Sequence, residues 1–163
     1  MPIMNDPGVS GSKDVETVER VIPAPADRIF AILADPSRHS EIDGSGTVRG
    51  MKTPAQKLAL GSKFGMSMKV GVPYSMESTV IEFEPDRRIA WQTRPPGRIP
   101  GKLGGGRIWR YELEPVDGGT RVRESWDISQ EVVKFIVKPA RGKTIKAMAD
   151  TLERIEKLLA SES

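Results

Sequence analysis

The sequence predicts an α+β fold in which an antiparallel sheet of about six to seven strands packs against one long C-terminal helix. Runs of strand-forming residues follow one another from Val15 to Ser129, with turn signals such as EPDR and VDGGT between them, which is typical of antiparallel hairpins. The closing segment GKTIKAMADTLERIEKLLA repeats its apolar residues at helical spacing instead. A sheet of this size needs a partner that covers one face, and only this helix is long enough.

The elements follow in a simple order. VETVERVIP predicts the first strand, and two short helices follow in APADRIFAILAD and PSRHSEI, where prolines suit a first helical turn. Further strands are expected in GSGTVRG, AQKLALGSKFGMSMKV, YSMESTVIEFE, RRIAWQTR, GRIWRYELEP and TRVRESWDIS. Residues 1–13 are rich in Gly, Pro and Ser and predict a flexible leader. Since no internal repeat is present, we expect a single domain over residues 14–160.

The composition excludes several classes of site. The 163 residues hold no cysteine, which removes disulfides, thiol catalysis, iron–sulfur clusters and thiolate zinc sites. Because His39 is the only histidine, a transition-metal site would need carboxylates almost alone, and we expect no metal and no cofactor. No segment is apolar over the length that crosses a bilayer, and no signal-peptide pattern is present, so we expect a cytoplasmic location.

The net charge is only +3, but two segments are basic throughout. Arg94–Arg110 and Lys134–Lys146 each contain five basic residues and no acidic residue. A solvated surface is the ordinary explanation of such runs. If both segments overhang one cavity mouth, they would favour a ligand with an anionic group.

The hairpin PVDGGT allows the inner face of the sheet to be predicted. If Gly118-Gly119 forms a two-residue turn, Leu113 lies opposite Glu124 and Tyr111 lies opposite Trp126. One face is then apolar and aromatic, and the other carries the charged residues Arg110, Glu112, Glu114, Arg121, Arg123 and Asp127. Because a slip of one residue would destroy this separation, we expect Glu124 to lie among aromatic side chains.

Two further hairpins extend the prediction. The turn at KVGVPYS puts Met66 opposite Glu77, and the turn at FEPDRRI puts Ile81 opposite Trp91. Glu77 would then point inward as well, unless a β-bulge flips its strand.

The predicted inner face is unusual for a plain core because it mixes aromatic residues and methionines with two glutamates. An unpaired carboxylate is costly in a dry core, and methionine adapts to varied partners. Either the glutamates pair with an arginine or with a Trp or Tyr donor, or they line a wet cavity. The presence of polar residues among the apolar ones favours the cavity. The predicted ligand-binding residues are Phe64, Met66, Met68, Glu77, Ile81, Trp91, Trp109, Tyr111, Glu124, Trp126, Met148 and Leu152.

The stretch DPSRHSEIDGSGTV gathers the single histidine, His39, with three carboxylates and a Gly-Ser-Gly. It fits an acid–base pair of His39 with Asp43 or Glu41, a phosphate loop, or a corner between two elements. The phosphate loop fails because the glycines do not lie between a strand and a helix N-terminus. No motif ties a nucleophile to His39. We therefore expect His39 to be a partly exposed helix residue at a corner between two elements. The alternative is that His39 has a role at the cavity entrance.

Three segments carry a resemblance to a known family: VERVIPAPADRIFAILADPSRHSEIDGSG, WRYELEPVDGGTRVRESWDIS and the closing helix. From about Val15 to Leu159 the chain resembles the SRPBCC superfamily, and more narrowly its bacterial polyketide cyclase/dehydrase-like and START-like members. The resemblance implies a helix-grip fold, in which a curved antiparallel sheet wraps around the C-terminal helix. The space between the sheet and the helix is a hydrophobic cavity. Members bind lipids, polyketides, steroids or hormones, and some are cyclases or hydrolases, so the fold does not fix the chemistry.

The leading functional hypothesis is the binding of a small hydrophobic molecule, such as a lipid, polyketide or aromatic metabolite. The alternative is a cyclase or dehydratase, with Glu124 or Glu77 as the base and Tyr111 or Tyr74 as the donor to an oxyanion. A third hypothesis is transient contact of VVKFIVKPARGK with an anionic membrane surface or a protein partner. Nucleic-acid binding is not expected, because the aromatic residues lie on the inner face, where bases cannot stack.

Overall fold

The structure is a computed structural model that describes residues 14–45, 48–51, 57–70, 72–95, 105–132 and 134–162. The side chains of residues 48–51, 66–70 and 72–74 are not part of that description. The predicted leader, residues 1–13, and most of the first basic segment, residues 96–104, lie outside the described residues.

A seven-stranded antiparallel sheet and one long helix form the domain. The strands are β1 (Val15–Ile22), β2 (Val48–Met51), β3 (Lys63–Val70), β4 (Val72–Glu84), β5 (Arg88–Arg94), β6 (Arg107–Val116) and β7 (Gly119–Asp127). The helices are α1 (Ala26–Leu33), α2 (His39–Ile42), α3 (Lys134–Val137) and α4 (Arg141–Ser161). The strand order β1-β7-β6-β5-β4-β3-β2 and the closing helix confirm the predicted α+β helix-grip fold.

Helix α4 packs on the sheet through one apolar stripe. Its buried residues are Met148, Thr151, Leu152, Ile155 and Leu159, which recur every three or four positions. Leu152, Ile155 and Leu159 join a core that includes residues of α1 and of six strands, while Met148 packs with Trp126, Ile128 and Val137 in a second cluster. No helix among the described residues has the length and apolar character needed to cross a membrane.

The β6–β7 hairpin differs from the prediction by two residues. Asp117 and Gly118 form the turn, so that Tyr111 pairs with Glu124 and Trp109 with Trp126. The prediction of Tyr111 opposite Trp126 was therefore wrong. Because side chains alternate with a period of two, a shift of two residues leaves each one on its expected face. The predicted separation of an apolar inner face from a charged outer face is confirmed.

Packing against β1, rather than the turn, explains the second glycine of that hairpin. Gly118 has a φ of 88° and takes the left-handed position of the turn. A Cβ on Gly119 would lie 2.1 Å from the carbonyl oxygen of Ile22. The second glycine of the predicted Gly118-Gly119 turn is therefore required by the close approach of β1.

A β-bulge in β4 overturns part of the predicted inner face. Val80 pairs with Trp91, whereas two residues further on the register has shifted, so that Ile81 is not opposite Trp91. On the other side, β3 pairs Met66 with Met76 instead of with Glu77. Before the bulge the even-numbered residues of β4 from Met76 to Val80 point inward, whereas after it the odd-numbered Phe83 packs on the core. Glu77 therefore does not point inward, and Ile81 is 37% exposed, so both inward predictions were wrong.

Candidate ligand cavity

A cavity of about 610 Å³ lies between the sheet, helix α2 and the first half of α4. The sheet contributes Met76, Ser78, Trp91, Thr93, Arg107, Trp109, Tyr111 and Glu124. The region of α2 contributes His39, Ile42, Asp43, Gly44 and Ser45. The remaining wall consists of Ala140, Lys143, Thr144, Lys146, Ala147, Asp150 and Thr151. This volume falls within the range that small-molecule sites occupy.

A hydrogen bond between Tyr111 and Glu124 forms the polar centre of the sheet wall. The register of β6 and β7 places the two residues opposite one another, and the Tyr111 hydroxyl donates to Glu124 Oε2 at 2.9 Å. The second carboxyl oxygen, Oε1, is buried and has no hydrogen-bond partner among the described residues. Glu124 is only 3% exposed, so bulk water does not solvate that oxygen.

Burial makes Glu124 a weak acid. The pKa of Glu124 is raised to about 8, chiefly by desolvation; the hydrogen bond from Tyr111 opposes this rise, and the negative charge of Asp43 adds to it. Burial also raises the pKa of Tyr111 well above its usual value, with Glu124 contributing. At neutral pH the pair is therefore predominantly an uncharged carboxylic acid beside an uncharged phenol.

His39 is buried in the cavity wall, which corrects the prediction of a partly exposed residue. Its ring stacks on Trp91 with centroids 5.0 Å apart and 22° between the planes, and it meets Phe64 edge-on. Because a carbonyl only accepts, the 2.9 Å contact from Nε2 to the oxygen of Leu33 assigns the proton to Nε2. Burial lowers the pKa of His39, so the ring is neutral and Nδ1 is an acceptor.

Of the two partners proposed for His39 from the sequence, Asp43 acts on the ring through its negative charge, which raises the pKa against the effect of burial. Glu41 pairs with Arg38 at 3.2 Å, and Asp43 Oδ1 accepts the Ser45 hydroxyl at 2.6 Å. The corner interpretation of this stretch is the one that fits the structure. A Cβ on Gly44 would lie 2.2 Å from the carbonyl oxygen of Ala147 in α4, so a glycine is needed for the two elements to meet.

The predicted ligand-binding residues fall into four groups. Trp91, Trp109, Tyr111 and Glu124 line the cavity. Phe64, Trp126, Met148 and Leu152 are buried in the surrounding core without lining it. Glu77 and Ile81 are directed away from it by the register of β4, and the side chains of Met66 and Met68 lie outside the described residues. Ligand binding by any of these residues stays a prediction.

The sequence prediction missed three polar residues of the sheet wall. Ser78 and Thr93 share a hydrogen bond of 2.9 Å between their hydroxyls, and the bulge that brings Ser78 inward left no signal in the sequence. Arg107 also lines the cavity. Counting back in steps of two from Tyr111 would have found it, because all odd positions of β6 share the inner face.

Ion pairs engage most of the basic residues near the cavity. Arg107 Nε lies 3.2 Å from Glu131 Oε2, and the other oxygen of Glu131 accepts the backbone N–H of Gly105 at 2.6 Å. Lys146 pairs with Asp150 at 3.0 Å. Lys143 lines the cavity and forms no ion pair with the described part of the chain.

Ion pairs also anchor the second basic segment, Lys134–Lys146, to the start of β1. Lys134 and Lys138 pair with Asp14, and Arg141 pairs with Glu16. Within the residues that the structure describes, no group of three or more His, Asp or Glu is placed to hold a metal ion.

Comparison with known proteins gives a consistent result. The family model described as polyketide cyclase/dehydrase and lipid transport matches residues 15–160. Uncharacterized protein Rv0088 of Mycobacterium tuberculosis (strain ATCC 25618 / H37Rv) is 40% identical over 136 residues, which are 74% of this chain and 56% of that protein. The chain thus spans about half the length of the curated relatives it matches.

Solved structures show the same fold at low sequence identity. Protein Ms6760 from Mycobacterium smegmatis is 15% identical, with a TM-score of 0.69 over 92% of this chain and 93% of that chain. DynU16, a protein in the dynemicin biosynthetic locus, is 15% identical, with a TM-score of 0.66 over 93% of this chain and 49% of that chain. At these identities the likeness concerns the fold alone.

The raised pKa of Glu124 predicts a specific pH dependence of stability. Between an ordinary pKa of 4.5 and the folded value of about 8, the folded protein binds more protons than the unfolded chain. The free energy of unfolding therefore falls as pH rises through this window, by about 5 kcal/mol. Glu124→Gln removes this titration and keeps an acceptor for Tyr111. Relative to wild type, the variant should gain stability from pH about 5 to pH about 9.

Urea unfolding at a series of pH values measures this difference. Glu112→Gln is the control, because Glu112 lies on the outer face and pairs with Arg88, and it should keep the slope of the wild type. If the free energy of unfolding changes with pH in the same way for the wild type and for Glu124→Gln, the prediction is contradicted.

Proposed function

The chain belongs to the polyketide cyclase/dehydrase and lipid transport family, and we propose that its cavity binds a small, largely apolar molecule. The family and the structural neighbours are consistent with a ligand-binding helix-grip domain.

The observation that carries this proposal is Glu124 Oε1, a buried oxygen with no hydrogen-bond partner in the described part of the chain, on a side chain that lines the cavity. Leaving a buried polar atom without a partner costs about 1–3 kcal/mol. Such a cost is typical of sites where water or a ligand supplies the missing hydrogen bond. Around this oxygen, the cross-strand pair of Trp91 and Trp109 provides flat apolar surface. A polar group inside an aromatic wall suits a ligand with an apolar body and a small polar group.

The charges around the cavity suggest how a ligand with an anionic group would lie. Asp43 makes the part of the cavity next to Glu124 unfavourable for a negative charge, since its own charge raises the pKa of Glu124. Lys143 offers a cation elsewhere on the wall. We therefore propose that an anionic group, if the ligand has one, lies beside Lys143 and that the uncharged part extends toward Glu124.

A cavity-filling variant tests the binding proposal with the fluorescent probe N-phenyl-1-naphthylamine, which is neutral and apolar. Ala147 lines the cavity, so Ala147→Phe should weaken probe binding by about tenfold or more because the new ring occupies the space. Ala149 is exposed on the same helix, and Ala149→Phe should leave binding unchanged. Fluorescence titration gives both affinities. Equal binding by the two variants, or no binding by the wild type, would contradict the proposal.

A cyclase or dehydratase activity is the second candidate, and the pKa of about 8 at Glu124 favours it. An aldol cyclisation needs a base that removes a proton next to a carbonyl, followed by return of a proton to the new alkoxide. A carboxyl group that titrates close to neutrality can perform both steps. Tyr111 would hold the carboxyl in place through its hydrogen bond to Oε2. Glu77 is not a candidate for this base, because it does not line the cavity.

Turnover of a synthetic poly-β-ketone thioester separates a carrier from an enzyme. If Glu124 is the base, Glu124→Gln should lower kcat by about 100-fold or more, since general-base catalysis contributes about 10²–10⁴. Glu112→Gln should retain the wild-type rate. Product formation followed by chromatography measures the rate, and binding of the thioester without turnover would exclude this activity on that substrate class.

Transient contact with an anionic membrane surface is proposed for the segment that precedes α4. Phe135 and Ile136 are 77% and 64% exposed, and Lys138, Arg141 and Lys143 follow them in the chain. Exposed apolar side chains beside cations are typical of interfacial attachment. Because Ala140 and Thr144 line the cavity, such contact would bring its wall close to lipid. The cytoplasmic location expected from the sequence is likewise a proposal.

Co-sedimentation with phosphatidylserine-containing vesicles at low and high salt tests this contact. The double variant Phe135→Ser/Ile136→Ser should reduce the bound fraction severalfold because it removes the inserted side chains. Leu60, which is 67% exposed in the turn before β3, provides the control variant Leu60→Ser. The proposal fails if both variants bind the vesicles as the wild type does.

A further inference from the structure

We infer that Glu124 donates a hydrogen bond to the ligand through Oε1, so that the cavity selects molecules with an uncharged acceptor, such as a conjugated ketone, at their buried end. This inference rests on the proposed binding function and names the chemical class of molecule that the site takes.

The first step is the position of the hydrogens. Tyr111 has one O–H, and that hydrogen is directed to Glu124 Oε2. In a carboxylic acid the carbonyl oxygen is the stronger acceptor, so the bond from Tyr111 favours Oε2 as the carbonyl and places the acid hydrogen on Oε1. Oε1 is the oxygen that has no partner among the described residues. Glu124 lines the cavity, so its wall contains a buried donor that has no acceptor among the described residues.

The second step concerns charge. Among the described residues, those that act on the acidity of Glu124 are Tyr111 and Asp43, and neither is a cation. A carboxylate ligand placed here would meet the negative charge of Asp43 without a balancing positive charge, in a low-dielectric environment that strengthens the repulsion. An uncharged acceptor avoids this cost and satisfies the hydrogen on Oε1.

The third step concerns shape. Trp91 and Trp109 are cross-strand neighbours next to the Tyr111–Glu124 pair on the same face of the sheet. Both side chains line the cavity, so aromatic surface lies beside the donor, and His39 stacks on one face of the Trp91 ring from the side of α2. A planar, conjugated ligand body fits such a wall better than a flexible chain, because it loses less conformational freedom on binding.

Two neutral probes that differ by one carbonyl test the inference. The first is 6-propionyl-2-(dimethylamino)naphthalene, a conjugated ketone, and the second is 6-propyl-2-(dimethylamino)naphthalene, which lacks the acceptor. The quantity of interest is the ratio of their affinities, since it cancels the shared apolar contacts. Removing the donor in Glu124→Leu should lower the ratio of ketone to hydrocarbon affinity by about five- to tenfold, the value of one hydrogen bond.

The pH dependence gives a second readout that does not require the leucine variant to fold. In the wild type the ratio should fall between pH about 6.5 and pH about 9.5, because the carboxylate has no hydrogen to donate. In Glu124→Gln the amide NH₂ replaces the acid O–H, so the ratio should stay constant over this range. The ketone emission should also lie at longer wavelength in the wild type than in Glu124→Leu, because a hydrogen bond stabilises its excited state. Glu112→Gln, altered on the outer face, should behave as the wild type.

The outcomes separate this inference from the binding proposal. If neither probe binds, the proposed binding function fails. If both bind and the ratio is the same in the wild type and in Glu124→Leu, and constant with pH in the wild type, the donor role of Glu124 is overturned while binding stands.

Discussion

The hydrogen bond from Tyr111 to Glu124 is the interaction on which the cavity depends. It joins two groups that are both withdrawn from water, and it satisfies only one of the two carboxyl oxygens. An ionised carboxylate in this position would be strongly disfavoured, which is why the pKa of Glu124 rises toward neutrality. The consequence is a site whose central polar group is an acid that keeps its proton at neutral pH. The expected pH dependence of stability follows from that property, and the proposed binding and catalytic roles both rely on it.

The rest of the fold places this pair at the surface of a cavity instead of inside the core. Strand β7 holds Glu124 through its pairing with β6, and the absence of a side chain at Gly119 lets β1 close against the hairpin. Gly44 lets the turn after α2 touch α4, where its N–H donates to Thr151 Oγ1 at 2.9 Å. The core below is filled by apolar residues of α1, α4 and the sheet. The cavity is thus the space that remains between the sheet and the part of α4 nearest the basic segment.

Alternation and helical spacing made much of this structure predictable from the sequence. The inner and outer faces of β6 and β7 depend only on the parity of each position, so they survived an error of two residues in the register. The pairing of Tyr111 with Glu124 could not be predicted, because Asp117-Gly118 fits a two-residue turn in PVDGGT as well as the predicted Gly118-Gly119 does. The bulge after Val80 depends on how β4 curves between its neighbours, which no local pattern reports, and it moved Glu77 off the cavity wall. The burial of His39 depends on rings from β3 and β5 that are distant in the chain.

The central claim, that Glu124 is a neutral acid at physiological pH, can be observed directly by infrared spectroscopy. A protonated carboxyl group has a C=O stretching band that is distinct from the bands of a carboxylate and of an amide. The difference spectrum between wild type and Glu124→Gln at neutral pH should show this band, and it should disappear as pH rises through about 8. Absence of the protonated band at neutral pH, with carboxylate bands in its place, would show that Glu124 is ionised in the folded protein and would contradict the account.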